Sequence, residues 1–370
     1  MIKLSKSTIT ETEKKAVMDV LDREYLGMGQ EVLSFEERLT EFFGKPAICV
    51  ANGTAALHLA CQSIGIKSGD EVLVPSLTYV ASFQAISATG AKPVACDITE
   101  DTLTLDWKDA EKRITKNTKA VMPVHYAGGA GDINGIYKFA KKYDLRVVED
   151  AAHAFGSYYN GALVGSFGDI VCFSFDGIKN ITSGEGGCII TKDNLVLDKI
   201  RDARLLGVEN DTFKRYSSER SWDFDVSKQG WRYHMSNIMA AIGIEQLKRF
   251  PELKNKRQSL ARQYDKLLSN NTVITCLKHN YDNVVPHIYV VKIKGLQDRE
   301  KLKKAMLDEG IQTGVHWKPN HLLSLYRSSS TLPLTITDSI YPTLITLPLH
   351  ADMTENEVDF VCEKLIKFIK

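Results

Sequence analysis

AVMPVHYAGGAGDINGIYKFAKKYDLRVVEDAAH, residues 120–153, contains a complete unit of strand, helix and strand. The apolar runs Ala120–His125 and Arg146–Glu149 are typical of buried strands, and the amphipathic pattern of Ile133–Tyr143 between them predicts a helix. Two strands joined through a helix run parallel, because a parallel pair needs a long crossover connection. This stretch therefore predicts an α/β fold.

The same alternation of strand and helix extends through the first two thirds of the chain. Pro46–Ala51 leads into a helical pattern at Thr54–Ser63, and Glu71–Pro75 leads into Tyr79–Thr89. Strands that recur at regular intervals between helices indicate parallel βαβ winding. The sequence thus predicts a mostly parallel sheet.

The last third of the chain has a different pattern. A chain of 370 residues is too long for one compact core. From about Trp231 the alternation gives way to long amphipathic helices and a short mixed segment. We expect a large domain with an N-terminal arm over residues 1–245 and a smaller C-terminal α+β domain over residues 246–370. The elements predicted after Trp231 are helices Ser236–Leu247 and, beyond Pro251, Leu253–Leu268, a strand His287–Ile293, and helices Asp298–Glu309 and Val358–Ile369.

The charges of the chain nearly cancel, since 47 Lys and Arg face 46 Asp and Glu and leave a net charge of +1. This balance gives no electrostatic reason to expect nucleic acid or an anionic membrane as a partner, and it favours small molecules or protein. The uncharged run Val72–Ala91 has about the length of a membrane span, but Pro75, Gln84 and Gly90 interrupt it. We interpret it as strand, loop and helix start.

The cysteines are odd in number, scattered and never arranged as C-x-x-C, which is typical of a reducing compartment. They are Cys49, Cys61, Cys96, Cys172, Cys188, Cys276 and Cys362. Residues 1–15 lack an apolar core and do not resemble a signal peptide. We therefore expect a cytoplasmic protein.

A first candidate binding segment, Asn52–Ala55, lies where a predicted strand passes into a helix. Gly53 lets the backbone approach a ligand closely, and the free N–H groups at the helix start, together with the Thr54 hydroxyl, can hold a phosphate. The same residues are equally typical of an ordinary turn and helix cap.

A second segment, Val147–His153, ends a hydrophobic strand in two carboxylates. Parallel sheets bind ligands at the carboxyl ends of their strands, so Asp150 could pair with a pyridinium nitrogen. The alternative is that Asp150 caps a helix and that His153 is a core histidine.

A third segment, Phe173–Asn180, places a lysine just after an aromatic strand among apolar and small residues. Such a lysine can be desolvated toward the neutral amine that attacks an aldehyde, and Ser174, upstream of Lys179, could reach a phosphate of the same ligand. The alternative is a surface lysine on a turn. The glycines of Gly184–Gly187 fit tight turns.

A fourth segment, Gly230–Ser236, precedes the long helix. Arg232 and His234 stand two residues apart and could both point toward an anion. Alternatively, both are solvated residues before a helix cap at Ser236.

Taken together, these segments resemble the DegT/DnrJ/EryC1/StrS family of nucleotide-sugar aminotransferases, and the resemblance extends over essentially the whole chain. The matching motifs are Tyr25–Gly29, Pro75–Ser82, Pro123–Tyr126, Glu149–His153, Ser174–Phe175 through Lys179, Gly184–Gly187 and Gly314–Trp317. The resemblance implies the aspartate-aminotransferase fold (pyridoxal phosphate fold type I), with a seven-stranded, mixed but mostly parallel sheet in the large domain.

The resemblance also implies roles for individual residues. Lys179 corresponds to the lysine that holds pyridoxal 5'-phosphate as a Schiff base, and Asp150 corresponds to the partner of the pyridine nitrogen. Tyr79 takes the position that stacks on the ring, and His153 takes the place of a Gln or His beside the ring hydroxyl. The implied phosphate cup comprises Gly53, Thr54 and Ser174.

A segment similar to Gly230–His234 comes from the neighbouring subunit in this family and reaches the cofactor phosphate. The resemblance therefore implies a homodimer with shared active sites.

The sequence departs from the family in two places. Many members carry Asn and then Arg where this chain has Arg232 and His234, which leaves open which of the two reaches the phosphate. The loop Ala127–Asp132 lacks the proline that often follows its glycine turn.

The resemblance favours transamination with L-glutamate as donor, because the family's sugar dehydratases have histidine at the position of Lys179. The favoured substrate is dTDP-4-keto-6-deoxy-D-glucose, which would become the 4-amino-4,6-dideoxy sugar for O-antigen or another surface polysaccharide. The alternatives are a GDP- or UDP-linked 4-keto sugar, amination at C3, and a sugar dehydratase.

The segment Gly310–His321 is similar to the stretch that approaches the sugar nucleotide in this family. His316 and Lys318 are therefore candidate contacts of hydroxyls or of the diphosphate. His316 and His321 lie outside a helix at a spacing that does not predict a metal pair, so we expect no metal.

Overall fold

The computed structural model describes residues 1–209, 211–220 and 222–369. Its strands are β1 (Ala47–Val50), β2 (Glu71–Pro75), β3 (Lys92–Cys96), β4 (Thr118–Val121), β5 (Arg146–Asp150), β6 (Tyr158–Tyr159), β7 (Ala162–Leu163), β8 (Ile170–Ser174), β9 (Gly187–Thr191), β10 (Ile274–Cys276), β11 (Tyr289–Ile293) and β12 (Leu344–Leu347). Its α-helices are α1 (Glu11–Asp22), α2 (Gln30–Phe43), α3 (Gly53–Ser63), α4 (Val80–Ser87), α5 (Trp107–Glu111), α6 (Ile133–Lys142), α7 (Asn194–Ala203), α8 (Asp211–Tyr216), α9 (Asn237–Leu268), α10 (Arg299–Asp308), α11 (Thr335–Ile340) and α12 (Glu355–Phe368). Short 3₁₀ helices lie at Tyr126–Gly128, Asn320–Leu322, Ser324–Tyr326 and Tyr341–Thr343.

In the described residues, seven strands form the large sheet in the order β1-β9-β8-β5-β4-β2-β3. Strand β9 runs antiparallel to both of its neighbours, and the other paired strands are parallel. The predicted α/β class, with a mixed but mostly parallel seven-stranded sheet, is confirmed.

Neighbouring residues of the strands contribute to two different cores, one on each face of this sheet. Val147 shares one core with Phe139 of α6, whereas Val148 shares the other with Leu59 of α3. Because both faces are covered, the strands carry apolar side chains on both faces, which is why they appear as short hydrophobic runs in the sequence. Ligands therefore have access only at the ends of the strands.

Strand β4 is shorter than predicted, since it ends at Val121 and not at His125. Pro123 has no N–H to donate to a neighbouring strand, and beyond it Val124 makes only an isolated parallel bridge to Asp150. The chain then turns into the 3₁₀ helix at Tyr126. This early end leaves room for a cavity beside the end of β5.

The two predicted helices on either side of Pro251 are one continuous helix, α9. The prediction of a break was wrong because Phe250 and Leu253, which flank the proline, are both buried in the core of the large sheet. Their packing outweighs the backbone hydrogen bond that proline removes.

Further along α9, Leu260 and Tyr264 join a third core with the antiparallel sheet β10-β11-β12 and with α10 and α12. The partners of α9 thus change between Leu253 and Leu260. The boundary at residues 245 and 246 stays a prediction. No helix in the described ranges combines the length and the apolar character needed to cross a bilayer.

Candidate active site

A cavity of about 510 Å³ opens at the carboxyl ends of β1, β5 and β8. Most of the residues singled out in the sequence line it, although they come from distant parts of the chain. They are Gly53, Thr54, Tyr79, Asp150, His153, Ser174, Lys179 and His316. The fold therefore brings together the first three candidate segments and part of the C-terminal segment.

The start of α3 forms one end of the cavity. The Asn52 side chain accepts a hydrogen bond from the Ala55 N–H at 2.8 Å, which caps the helix. The N–H groups of Gly53 and Thr54 come before the first intrahelical bond and are free to bind an anion. A Cβ built on Gly53 would lie 2.9 Å from the Ser174 Cβ, so only glycine lets this backbone approach the serine. This cradle fits a phosphate group.

Replacing Gly53 with alanine should weaken binding of the cofactor, because the new methyl group pushes the start of α3 away from Ser174. We expect the dissociation constant for pyridoxal phosphate to rise about tenfold, which corresponds to the loss of a single good hydrogen bond. Fluorescence titration of the apoprotein measures this constant. Gly27→Ala is the control, since a Cβ at Gly27 meets no atom within 4 Å. Equal affinities for the two variants would contradict the proposed cradle.

Asp150 lies at the opposite end, at the last position of β5, and only 6% of its surface is exposed. Its carboxylate accepts hydrogen bonds from the Ser82 hydroxyl at 2.7 Å and from the Ala152 N–H at 3.2 Å. The Ser82 hydroxyl in turn lies 2.9 Å from that of Thr78. These contacts fix the carboxylate and suit it to hold a positively charged ring nitrogen.

Lys179 follows β8 on a turn in which its own N–H donates to the Asp176 carbonyl at 3.0 Å. Burial lowers the pKa of Lys179 from 10.5 to about 8. The carboxylates of Asp150 and Asp176 act in the opposite direction, and the Arg257 charge adds to the lowering. Near neutral pH a larger share of this amine is therefore uncharged than in an exposed lysine, and the uncharged form is the one that acts as a nucleophile and takes up a proton.

His287, which the sequence pattern marked only as the start of a strand, contacts this lysine directly. Its Nε2 lies 3.4 Å from the Lys179 Nζ, and its ring centroid lies 4.4 Å from that of His153. Burial, followed by the Lys179 charge, holds the pKa of both histidines well below the usual range. Both imidazoles are therefore neutral, and the Ala127 N–H donates to the Nδ1 of His153 at 3.4 Å.

Aromatic side chains form the open side of the cavity. The Trp317 ring lies 5.4 Å from that of Tyr79 and 5.0 Å from that of His153. The Tyr126 hydroxyl donates to the His316 carbonyl, which anchors the segment around His316 to the 3₁₀ helix that follows β4. Burial lowers the pKa of His316 to about 4, and its Nδ1 lies 2.9 Å from the Thr346 hydroxyl. A flat ring and a sugar both fit such walls.

Three of the candidate residues lie outside the cavity. Lys318 is exposed to solvent, and Arg232 and His234 line a separate depression of about 100 Å³. Arg232 and His234 belong to a segment that lies beside the end of β1, where the Ala51 N–H donates to the Tyr233 carbonyl at 2.6 Å. Within one chain, then, the structure does not bring Arg232 or His234 to the cavity.

These residues fit pyridoxal phosphate on the evidence of their own geometry. A phosphate cradle, a fixed carboxylate for a ring nitrogen and a lysine with a lowered pKa face one cavity with an aromatic wall. Sequence reasoning identified this donor set but missed His287, Trp317 and Ser82. Trp317 could have been found as the neighbour of His316, and the only signal for His287 was a polar residue before an apolar run.

Comparison with known proteins gives a consistent result. Residues 7–366 match the model of the DegT/DnrJ/EryC1/StrS aminotransferase family. The chain is 35% identical to the spore coat polysaccharide biosynthesis protein SpsC of Bacillus subtilis over 98% of this chain and 95% of that protein.

Two solved structures have nearly the same fold. Spr1654 from Streptococcus pneumoniae in its PMP-form superposes with a TM-score of 0.92 at 31% identity, covering 100% of this chain and 99% of that chain. A PLP-form of the same protein also matches. PseC from Helicobacter pylori, an aminotransferase involved in the biosynthesis of pseudoaminic acid, gives a TM-score of 0.91 at 29% identity over 99% of this chain and 98% of that chain.

Proposed function

Because the chain belongs to the DegT/DnrJ/EryC1/StrS aminotransferase family, we propose that it transfers the amino group of L-glutamate to the keto carbon of a nucleotide-linked deoxysugar. The protein is a sugar aminotransferase that uses pyridoxal phosphate. The observation that carries the finer proposal is the meeting of Lys179, Asp150 and the Gly53–Ser174 cradle in a single cavity.

We further propose dTDP-4-keto-6-deoxy-D-glucose as the keto sugar, aminated at C4 for a surface polysaccharide such as the O-antigen. The similarity to SpsC, whose name refers to spore coat polysaccharide, supports a role in surface carbohydrate synthesis. A GDP- or UDP-linked sugar, or amination at C3, is the second candidate.

A cytoplasmic location is part of this proposal, and the seven cysteines, all of them free thiols, support it.

In this proposal each residue of the cavity has a defined task. When bound, pyridoxal phosphate supplies an electron-withdrawing ring that stabilises negative charge on the carbon whose proton is moved. The Asp150 carboxylate holds the ring nitrogen and its proton, and the Gly53–Ser174 cradle holds the phosphate. Tyr79 covers one face of the ring, and His153 lies beside it. His316 and Lys318 are proposed contacts of the sugar nucleotide.

The Lys179 Nζ has two tasks. Its uncharged form attaches the cofactor, and after release the same amine takes a proton from one carbon and returns it to another. A positioned acid–base group of this kind contributes about 10²- to 10⁴-fold to the rate. The His287 imidazole beside this amine is neutral, so it places no second positive charge next to the amine.

We propose that the active unit is a homodimer with shared sites. Among the described residues that line the cavity, Lys179 is the only lysine or arginine, and the three histidines have lowered pKa values. The cavity must nevertheless take a phosphate and a dicarboxylate. Arg232 of a second copy would supply this missing positive charge, and His234, whose pKa burial and the neighbouring arginines lower to about 4, would add an uncharged hydrogen-bonding imidazole.

The surface near Arg232 and His234 supports the same proposal. It carries several large apolar side chains that are about half exposed, which marks a protein contact surface. They are Leu206, Phe213, Phe224 and Val226.

Mixing two inactive variants tests whether the sites are shared. We expect a mixture of the Lys179→Ala variant with the Arg232→Ala/His234→Ala double variant to recover up to about a quarter of wild-type activity. Half of the dimers in this mixture contain one chain of each variant, and each of these dimers has one intact site. The control mixes Lys179→Ala with Asp150→Asn, which should recover none because both residues belong to the cavity of one chain. Absence of recovery in the first mixture would exclude sharing through these residues.

The proposed reaction is tested by incubating the pure protein with glutamate and a panel of dTDP-, UDP- and GDP-linked 4-keto-6-deoxyhexoses. Mass spectrometry and NMR identify the products. We expect an aminated sugar, with turnover fastest for the dTDP-linked substrate. Fastest turnover of a GDP- or UDP-linked sugar would favour the second candidate. A product that has lost a hydroxyl without gaining nitrogen would overturn transamination in favour of dehydration.

A further inference from the structure

Arg257 in α9 is a buried cation without an acidic partner. Only 3% of its surface is exposed, and burial, with no contribution from a carboxylate in the described residues, accounts for the shift of its pKa. Burial lowers the pKa of Arg257 to about 10, so the guanidinium still carries its charge at neutral pH. An uncompensated buried charge is costly, and such groups are kept where the charge itself has a use.

The guanidinium donates hydrogen bonds to backbone carbonyls of three segments, two of which line the cavity. Nη1 donates to the carbonyls of Pro286 at 3.5 Å, His287 at 3.1 Å and Leu349 at 3.4 Å. Nη2 donates to those of Ile178 at 3.4 Å and Lys179 at 3.5 Å. One side chain thus holds the backbone of both members of the Lys179–His287 pair.

Among the charged and titratable groups around Lys179, Arg257 acts on the amine in the opposite direction to the carboxylates. Those that act on the amine of Lys179, or on the histidines beside it, are Asp150 at the end of β5, Asp176 on its own turn, His153 after β5, His287 before β11, His316 in the small domain and Arg257 in α9. The two carboxylates favour the protonated amine, and the histidines have lowered pKa values. Arg257 is the cation that opposes these carboxylates.

We propose that Arg257 is a positioning residue of the active site, which holds Lys179 against His287 through their carbonyls and whose charge favours the reactive, uncharged form of the Lys179 amine. This inference rests on the proposed role of Lys179 as the lysine that binds the cofactor. Arg257 itself touches neither cofactor nor substrate, since it does not line the cavity. Its effect passes through the backbone and the field of its charge.

Competitive labelling of the full-length apoprotein with acetic anhydride, read at Lys179 by peptide mass spectrometry over a pH series, gives the pKa of this amine directly. We expect about 8 for the wild type. Arg257→Gln keeps a hydrogen-bond donor but removes the charge, and it should raise this pKa by at least about half a unit. Arg257→Lys keeps the charge and should shift it by less than about 0.2 unit.

Arg113→Gln is the matched control. Arg113 is also buried and also donates to backbone carbonyls, those of Leu332 and Pro333, but it pairs with Asp109 and its charge does not act on Lys179. We expect its replacement to lower the melting temperature and to leave the Lys179 pKa unchanged. Circular dichroism establishes that each variant is folded.

If Arg257→Gln lowers the melting temperature but leaves the Lys179 pKa within about 0.2 unit of wild type, Arg257 has a purely structural role and the proposal is overturned. A parallel series with bound pyridoxal phosphate separates this outcome from failure of the proposed function. Protection of Lys179 from acetylation supports its role as the lysine that binds the cofactor. Full labelling of Lys179 in the loaded protein would overturn that role whatever the Arg257 variants show.

Discussion

Lys179→Ala should abolish the visible absorbance band of the covalently held cofactor and lower turnover of glutamate and keto sugar by about 10⁴-fold or more, because one side chain supplies both the attachment point and the proton carrier. No second lysine lines the cavity in the described residues to take its place. Absorbance spectra and steady-state turnover measure the two effects.

Lys304→Ala is the control, since Lys304 pairs with Asp308 on the exposed surface of α10 and should leave both readouts unchanged. Added ethylamine, as a soluble substitute for the missing side chain, should restore part of the turnover of Lys179→Ala. A yellow, active Lys179→Ala protein would show that another residue binds the cofactor.

Asp150→Asn should lower kcat/KM by about 10²- to 10⁴-fold, because removing one partner of a buried charge pair costs about 3–5 kcal/mol. The amide has nearly the same shape and still accepts the hydrogen bond of Ser82, so the loss reports on charge and not on packing. The same steady-state assay measures it.

Ser82→Ala provides a graded comparison, since it leaves the carboxylate charged but removes one of its hydrogen bonds. We expect a smaller loss, about 10- to 100-fold, in keeping with one hydrogen bond to a charged group. If Asp150→Asn retained more activity than Ser82→Ala, the carboxylate would not be the partner of the ring nitrogen.

The fold was largely predictable from local pattern. Strand β2 was predicted at Glu71–Pro75, where the structure has it, because an apolar run between turn residues allows little else. The wrong predictions, a break in α9 and a longer β4, concern places where the structure depends on more than the local hydrophobic pattern. Proline in α9 is tolerated since Phe250 beside it is buried, and β4 stops early because Pro123 cannot pair.

The cavity was predictable where its residues follow strand ends, as Asp150 and Lys179 do, since the topology of a parallel sheet brings these ends together. His287 and Arg257 gave no such signal. Each is more than 75 residues from Lys179 along the chain, and their contacts with it depend on how α9 and the small domain pack onto the large one. Arg257 in particular resembles an ordinary polar position of a long amphipathic helix.

The roles of Arg232 and His234 could not be decided from one chain. The order of these two residues differs from that of many family members, and within a single copy both lie outside the cavity. They share this depression with Leu206 and Phe224, which are about half exposed, and such a position suits residues that act across a subunit contact.

The central claim is that Lys179 holds pyridoxal phosphate in a sugar aminotransferase. Reducing the loaded enzyme with sodium borohydride fixes the cofactor on the amine that carries it, and peptide mass spectrometry then identifies this amine. We predict a single modified peptide, with the cofactor on Lys179. A modified peptide elsewhere in the chain, or no modified lysine after reduction of the yellow protein, would contradict the account.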